Sequence, residues 1–158
     1  MDPPSGLVDP EGLPKAGAFW SHDPIVDLRG VDSTPDADRS SWPTSRLWVR
    51  AGRDFPDDVS FHACVQTYIS DYGSGFALAD LPGLARGGPS LDHCMWFHHP
   101  IRLDDWVLLD LWPLRASSAR GTYMGTIHDR AGRLGSVIAQ ESLLRPHPEQ
   151  LGPPAGKS

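Results

Sequence analysis

The chain has 158 residues, which is enough for one domain with a substantial hydrophobic core. Its formal net charge of -6 excludes the basic footprint of a nucleic-acid-binding protein. No apolar run approaches the roughly 20 residues of a membrane-spanning helix, and the N-terminus lacks the basic and apolar regions of a secretory signal.

Both ends of the chain are rich in Pro and Gly, so residues 1–23 and 147–158 are predicted to be irregular. Residues 24–146 are predicted to form the single domain. Alternating apolar residues predict two strands at the start of this domain, over residues 25–31 and 46–51. A polar loop over residues 33–45 joins them.

A helix is predicted after the second strand. Apolar side chains recur there every three or four positions, at Phe61, Cys64, Val65, Tyr68, Ile69 and Tyr72. Asp57 is the predicted N-cap and Gly73 the predicted stop. The broad apolar stripe predicts a largely buried helix. Asp71 falls in the last turn, where the helix dipole disfavours a carboxylate, so it is either a solvated helix-end residue or a functional one.

The remaining pattern predicts four strands, over residues 90–98, 106–114, 121–128 and 136–144, in an antiparallel meander. A turn over residues 129–132 joins the last two. One helix wrapped by an antiparallel sheet of about six strands is the hot-dog architecture, an α+β fold. A single unit of this kind leaves sheet edges uncovered, so we expect it to pair with a second hot dog, within or between chains.

The segment from Ser90 to Pro100 concentrates reactive side chains. Cys94 and His98 share a strand face, but ~13 Å of strand separates them, whereas a zinc ion needs both ligands within about 2.3 Å. The chain also lacks the G-x-S-x-G motif and the glycine spacing of phosphate-binding loops. We therefore predict neither a metal site nor a cofactor. Without an export signal, Cys64 and Cys94 are predicted to be reduced thiols in a cytoplasmic protein.

Gln140 is an uncharged amide at the centre of the last predicted strand, on the same face as Ile138. A buried amide must find hydrogen-bond partners. It is therefore either a structural residue or a donor that holds water or polarises a carbonyl.

Several separate motifs, in order along residues 24–146, resemble the acyl-CoA thioesterase II (TesB-type) family. They are Tyr68-Ile69-Ser70-Asp71, Ser90-Leu91-Asp92-His93, the run from Ala116 to Gly121, and Gln140-Glu141. The resemblance covers only the second of the two hot dogs that family members carry in one chain. It implies hydrolysis of fatty acyl-CoA to free fatty acid and CoA around a bound water.

By motif position, the resemblance implies Asp71, Ser90 and Gln140 as the catalytic residues. Asp71 would be the general base, Ser90 and Gln140 would position the water, and N–H groups at a helix start would serve the oxyanion. Direct attack by Asp71 on the thioester is left open. Asp92 and His93 are expected to be framework residues.

Because the first half of the family is not matched, the expected partner is a second copy, as a homodimer or higher homo-oligomer, or a separate first-half subunit. A non-catalytic acyl-CoA-binding or partner-binding hot-dog protein is the alternative function. A hot-dog hydratase is disfavoured, because His62 lies nine residues before Asp71, about two and a half turns of helix away.

Overall fold

The computed structural model describes residues 9–15, 25–31, 40–73, 75–77, 79, 81–84 and 88–146. The predicted irregular tail over residues 147–158, most of the predicted N-terminal coil and most of the predicted loop over residues 33–45 lie outside the described residues. The described part contains one α-helix, α1 (Val59–Ser70), and six strands. These are β1 (Val26–Val31), β2 (Ser45–Ala51), β3 (Cys94–Phe97), β4 (Val107–Ser117), β5 (Arg120–Asp129) and β6 (Leu134–Leu143).

The six strands form one antiparallel sheet in the order β1-β2-β4-β5-β6-β3. Val65 and Ile69 of α1 join the main hydrophobic core together with inward side chains of the strands, such as Leu109, Ile127 and Ile138. Burial of these side chains is what holds the helix on the sheet, since apolar burial is the dominant favourable contribution to folding. One helix against a six-stranded antiparallel sheet is the predicted architecture.

The position of β3 differs from the prediction. β4, β5 and β6 do form a meander, but β3 lies at the far edge of the sheet and pairs with β6. The reason is that both edges of β4 are already occupied, by β2 and β5. One edge of β3 therefore has no partner strand among the described residues.

The two ends of α1 are set by local hydrogen bonding. The predicted N-cap, Asp57, is wrong: the side chain of Asp58 accepts the N–H groups of Ser60 and Phe61, at 2.7 and 3.2 Å. The predicted stop is confirmed, because Gly73 adopts a φ of 80°, a left-handed conformation that favours glycine.

The prediction that α1 is largely buried is wrong. The sheet covers only one side of the helix, which holds Val65 and Ile69, while Val59, Phe61 and Tyr68 on its other sides are exposed. The apolar stripe is therefore wider than the surface that the described sheet can bury. No helix of the described part is long and apolar enough to span a membrane.

The opposite face of the sheet carries a smaller apolar cluster of Trp48, Trp106 and Leu108. Within the N-terminal segment predicted to be irregular, residues Pro10–Gly12 form one 3₁₀ turn beside this cluster. Glu11 accepts hydrogen bonds from the indole N–H of Trp106, at 2.8 Å, and from Arg50, at 2.9 Å. These contacts satisfy an indole donor that would otherwise be buried without a partner.

Two hairpin turns complete the meander. The predicted turn over residues 129–132 is confirmed, with Gly132 at a φ of 85°. The turn between β4 and β5 places Ser118 and Ala119 at positive φ, 52° and 62°, where glycine or asparagine is the usual residue.

Candidate active site

Asp71 lies directly after α1, at the point where the helix end approaches β6. Gln140 of β6 donates through Nε2 to Oδ1 of Asp71, at 3.1 Å, and to Oγ of Ser90, at 2.7 Å. Ser90 Oγ in turn donates to the same carboxylate oxygen at 3.4 Å. The structure thus brings together the three side chains that the sequence singled out, although they are up to 69 residues apart in the chain.

The three side chains differ in their exposure. Asp71 and Ser90 are exposed, whereas Gln140 is only 3% exposed on the inner face of β6. The cluster therefore has a buried amide below and an exposed carboxylate and hydroxyl above. A solvent molecule or a ligand can reach the carboxylate from outside.

A β-bulge places the Ser90 side chain in this cluster. Ser90 pairs with Ser142, and Cys94 pairs with Ala139. The chain therefore advances by four residues between Ser90 and Cys94, while β6 advances by only three over the same distance. The extra residue changes the phase of side-chain alternation between Ser90 and β3. Asp92 lies in this bulge, and its carboxylate accepts the N–H of Glu141 at 2.7 Å. This bond supports the framework role expected for Asp92.

His93 was expected to be a framework residue, but it contacts the cluster itself. Its Nε2 lies 2.7 Å from Oγ of Ser70, and its Nδ1 is in hydrogen-bond contact with Oε1 of Gln140. Regular alternation would place Ser90 and His93 on opposite faces of a strand. The bulge puts both on the inner face, and no local sequence signal predicts it.

Tyr123 forms the floor beneath the cluster, since it pairs with Gln140 across β5 and β6 and is fully buried. Burial raises the pKa of Tyr123, and the nearby negative charge of Asp71 raises it further. The phenol is therefore neutral throughout the physiological range and adds no second negative charge below Asp71.

The free N–H groups at the start of α1 cannot reach this cluster within the same chain. A helix of 12 residues is about 18 Å long, so its first N–H groups lie at the opposite end from Asp71. Two of those groups are also bonded to Asp58. The described residues contain no other α-helix that could supply such donors. Among the described residues, no group of three or more His, Cys, Asp or Glu side chains is arranged to hold a metal ion.

Comparison with known proteins shows which family the chain belongs to. A family model described as the acyl-CoA thioesterase C-terminal domain matches residues 4–144. The chain belongs to this family. The predicted resemblance to acyl-CoA thioesterase II is thereby confirmed.

Individual relatives of this acyl-CoA thioesterase C-terminal domain are longer proteins. Acyl-coenzyme A thioesterase 8 of Mus musculus is 40% identical over 113 residues, which are 68% of this chain and 35% of that protein. Acyl-CoA thioesterase 2 of Haemophilus influenzae is 30% identical over 104 residues, 62% of this chain and 36% of that protein. The chain therefore spans about a third of the length of these curated relatives.

Solved structures agree with the fold of this thioesterase domain. The acyl-CoA thioesterase II TesB2 of Mycobacterium marinum superposes with a TM-score of 0.76 at 29% identity, covering 94% of this chain and 57% of that one. The zebrafish thioesterase superfamily member 2 superposes with a TM-score of 0.58 at 13% identity, over 75% of this chain and 81% of that one. The predicted α+β hot-dog fold is confirmed.

Proposed function

We propose that this chain hydrolyses fatty acyl-CoA to free fatty acid and CoA, with Asp71, Ser90 and Gln140 as its catalytic residues. The observation that carries the proposal is the convergence of the Ser90 hydroxyl and the Gln140 amide on one oxygen of Asp71, at the exposed end of α1. The substrate class comes from the relatives, which are named acyl-CoA thioesterases.

Asp71 is the proposed general base. Both hydrogen-bond donors use its Oδ1, so we assign Oδ2 to the water that attacks the thioester carbonyl. Asp71 takes the proton of that water as the new carbon–oxygen bond forms. A positioned base of this kind contributes typically about 10²–10⁴-fold to the rate.

Ser90 and Gln140 hold the carboxylate and the water in a reactive geometry. The Gln140 amide is fixed because both of its identified acceptors, Asp71 and Ser90, lie on the same side of it. Preorganised donors of this kind lose no reorganisation energy during the reaction. Attack by Asp71 itself would form a mixed anhydride. Hydroxylamine would trap that anhydride as a hydroxamate on Asp71, which general-base attack does not produce.

We propose, secondly, that the active form pairs this hot dog with another one. The support is an open face between α1 and β3, where the exposed apolar side chains of Val59 and Phe97 line one groove. The edge of β3 beside this face pairs with no strand of the described part. An unpaired edge next to exposed apolar side chains is a typical site of association.

The small volume of the groove on this open face also supports pairing with a second hot dog. The groove between α1 and β3 is lined by Val59, Ala63 and Phe97, among others, and encloses about 140 Å³. Ligand pockets for small molecules usually enclose about 300–1,000 Å³. An acyl chain therefore needs a second wall, which a paired hot dog would supply.

The proposed partner is a second copy of this chain, as a homodimer or higher homo-oligomer. The competing partner is a separate first-half subunit, because the chain spans about a third of its curated relatives. No nucleic acid or membrane enters the proposal. We also propose a cytoplasmic, reducing location, since Cys64 and Cys94 are both unpaired and exposed.

A second candidate function is a non-catalytic hot dog that binds acyl-CoA or a partner protein. The unpaired edge of β3 and the exposed Phe97 on it favour the binding of a partner protein. The two functions separate in one pair of experiments, namely thiol release from a panel of medium- and long-chain acyl-CoAs and calorimetry with the same compounds. Thiol release that depends on Asp71 supports hydrolysis. Binding without thiol release supports the second candidate.

A further inference from the structure

His93 connects the last turn of α1 to the cluster that we propose is catalytic. It lies between Ser70, at 2.7 Å from its Nε2, and Gln140, which its Nδ1 contacts. Neither Ser70 nor Gln140 is more than 3% exposed, so both partners are held by packing. The donors and acceptors in these hydrogen bonds determine what His93 can do.

The orientation of the Gln140 amide fixes the proton on one nitrogen of His93. Gln140 directs Nε2 at the carboxylate of Asp71 and the hydroxyl of Ser90, so Oε1 must point the other way, at His93. A carbonyl oxygen only accepts hydrogen bonds. The Nδ1 atom of His93 therefore carries a proton and donates it to Gln140.

The second nitrogen of His93 does not alter this conclusion. The Ser70 hydroxyl lies 2.7 Å from both the Thr67 carbonyl and His93 Nε2, and it has a single proton to donate. If that proton goes to Thr67, the imidazole is doubly protonated; if it goes to His93, the ring is neutral. In both arrangements the Nδ1–H group donates to Gln140.

We propose that His93 is a positioning residue that acts through Gln140. Its Nδ1–H group holds Oε1 of the amide, and this contact keeps the NH₂ group directed at Asp71 and Ser90. Without His93 the amide loses its third anchor and can rotate away from the carboxylate. The bulge at Asp92 is the structural device that brings His93 to the inner face together with Ser90. The inference rests on the proposed function, because it names a support of the same site.

A double-mutant cycle measures whether His93 acts through Gln140. We expect His93→Ala to lower kcat about 10–100-fold with little change in KM, since loss of orientation acts on the reacting geometry. His93→Asn retains an N–H donor near the position of Nδ1 and should restore most of the rate. In a Gln140→Ala background, His93→Ala should cause no further loss. An equal loss in both backgrounds, or no recovery in His93→Asn, would overturn the proposal.

A second readout needs no turnover. The side-chain amide protons of Gln140 can be identified by NMR as the pair that disappears in Gln140→Ala. In the parent and in His93→Asn we expect two separate, slowly exchanging signals, and in His93→Ala signals averaged towards those of a free amide. An amide that is equally ordered in His93→Ala would refute the positioning role. If the parent releases no thiol from any acyl-CoA, the proposed function fails, and this spectrum still decides the role of His93.

Discussion

Phe97 offers a direct test of the proposed pairing, because it is an aromatic residue that lines the groove of the open face. It pairs in register with the buried Ser136 of β6, so its ring projects from the inner face of the sheet towards α1. The side chain is nevertheless 51% exposed. The substitution Phe97→Ser removes this apolar surface and leaves the rest of β3 in place.

The size of the effect follows from the exposed area. An aromatic side chain has about 150–250 Å² of surface, so about 100 Å² of Phe97 remains to be covered. At about 25 cal/mol per Å², covering it stabilises a complex by about 2.5 kcal/mol. A symmetric pair covers two copies, or about 5 kcal/mol, so Kd should rise by up to about 4 × 10³-fold.

Sedimentation equilibrium of the parent and of Phe97→Ser measures this change. The matched control is Leu114→Ser, because Leu114 is 46% exposed but lies on β4, which β5 and β6 separate from β3 in the sheet. We expect the control to keep the dissociation constant of the parent. An unchanged dissociation constant in Phe97→Ser would refute the assignment of the open face. A monomeric parent would refute the homo-oligomer.

Three further predictions concern stability. Glu11→Ala should lower the free energy of unfolding, measured by urea titration, by about 1–3 kcal/mol, because the buried indole N–H of Trp106 loses its acceptor. Glu11→Gln keeps an acceptor, so its free energy of unfolding should fall much less. Ala119→Gly should raise the free energy of unfolding by about 0.5–1 kcal/mol, seen as about 2 °C in the melting temperature, because a φ of 62° is strained for alanine. The hydrogen bond from Arg102 lowers the pKa of Asp104 from its ordinary 3.8, so this ion pair stabilises the fold at neutral pH and its contribution disappears as the pH falls through the carboxyl range. Urea titrations of the parent and of Arg102→Gln should therefore differ slightly at neutral pH and converge towards about pH 3; a constant difference would contradict the linkage.

Much of the fold follows from local patterns in the sequence. The helical spacing before Gly73 and the turn over residues 129–132 identify α1 and the hairpin of β5 and β6, because each depends on neighbouring residues alone. Asp71 and Gln140 were found because each conflicts with its local surroundings: a carboxylate at the end of a helix and an amide inside a strand. The structure then brings these two side chains within 3.1 Å of each other.

What the sequence did not predict depends on contacts between distant segments. The pairing of β3 with β6 is decided by which strand edges remain free after β4 has bound β2 and β5. The bulge beside β3 is a register difference between two strands, so it has no signature in either strand alone. The contact of His93 with the cluster follows from that bulge, which is why alternation could not assign it.

The N-cap of α1 is another feature that the local sequence pattern did not predict correctly. Asp57 and Asp58 are adjacent and both suit the N-cap position. In the folded chain Asp57 pairs with Arg102, 45 residues further along, while Asp58 accepts the first N–H groups of the helix. A local pattern cannot contain this information.

Activation of water by Asp71 for hydrolysis of an acyl-CoA thioester is tested most directly by kcat for thiol release in Asp71→Asn. We predict a fall of about 10²–10⁴-fold with an unchanged circular dichroism spectrum, because the amide keeps the shape of the carboxylate but cannot accept the proton. Asp57→Asn, the same change at an exposed carboxylate beside the other end of α1, should retain the rate of the parent. Equal thiol release by Asp71→Asn and the parent would refute the role of Asp71 as general base.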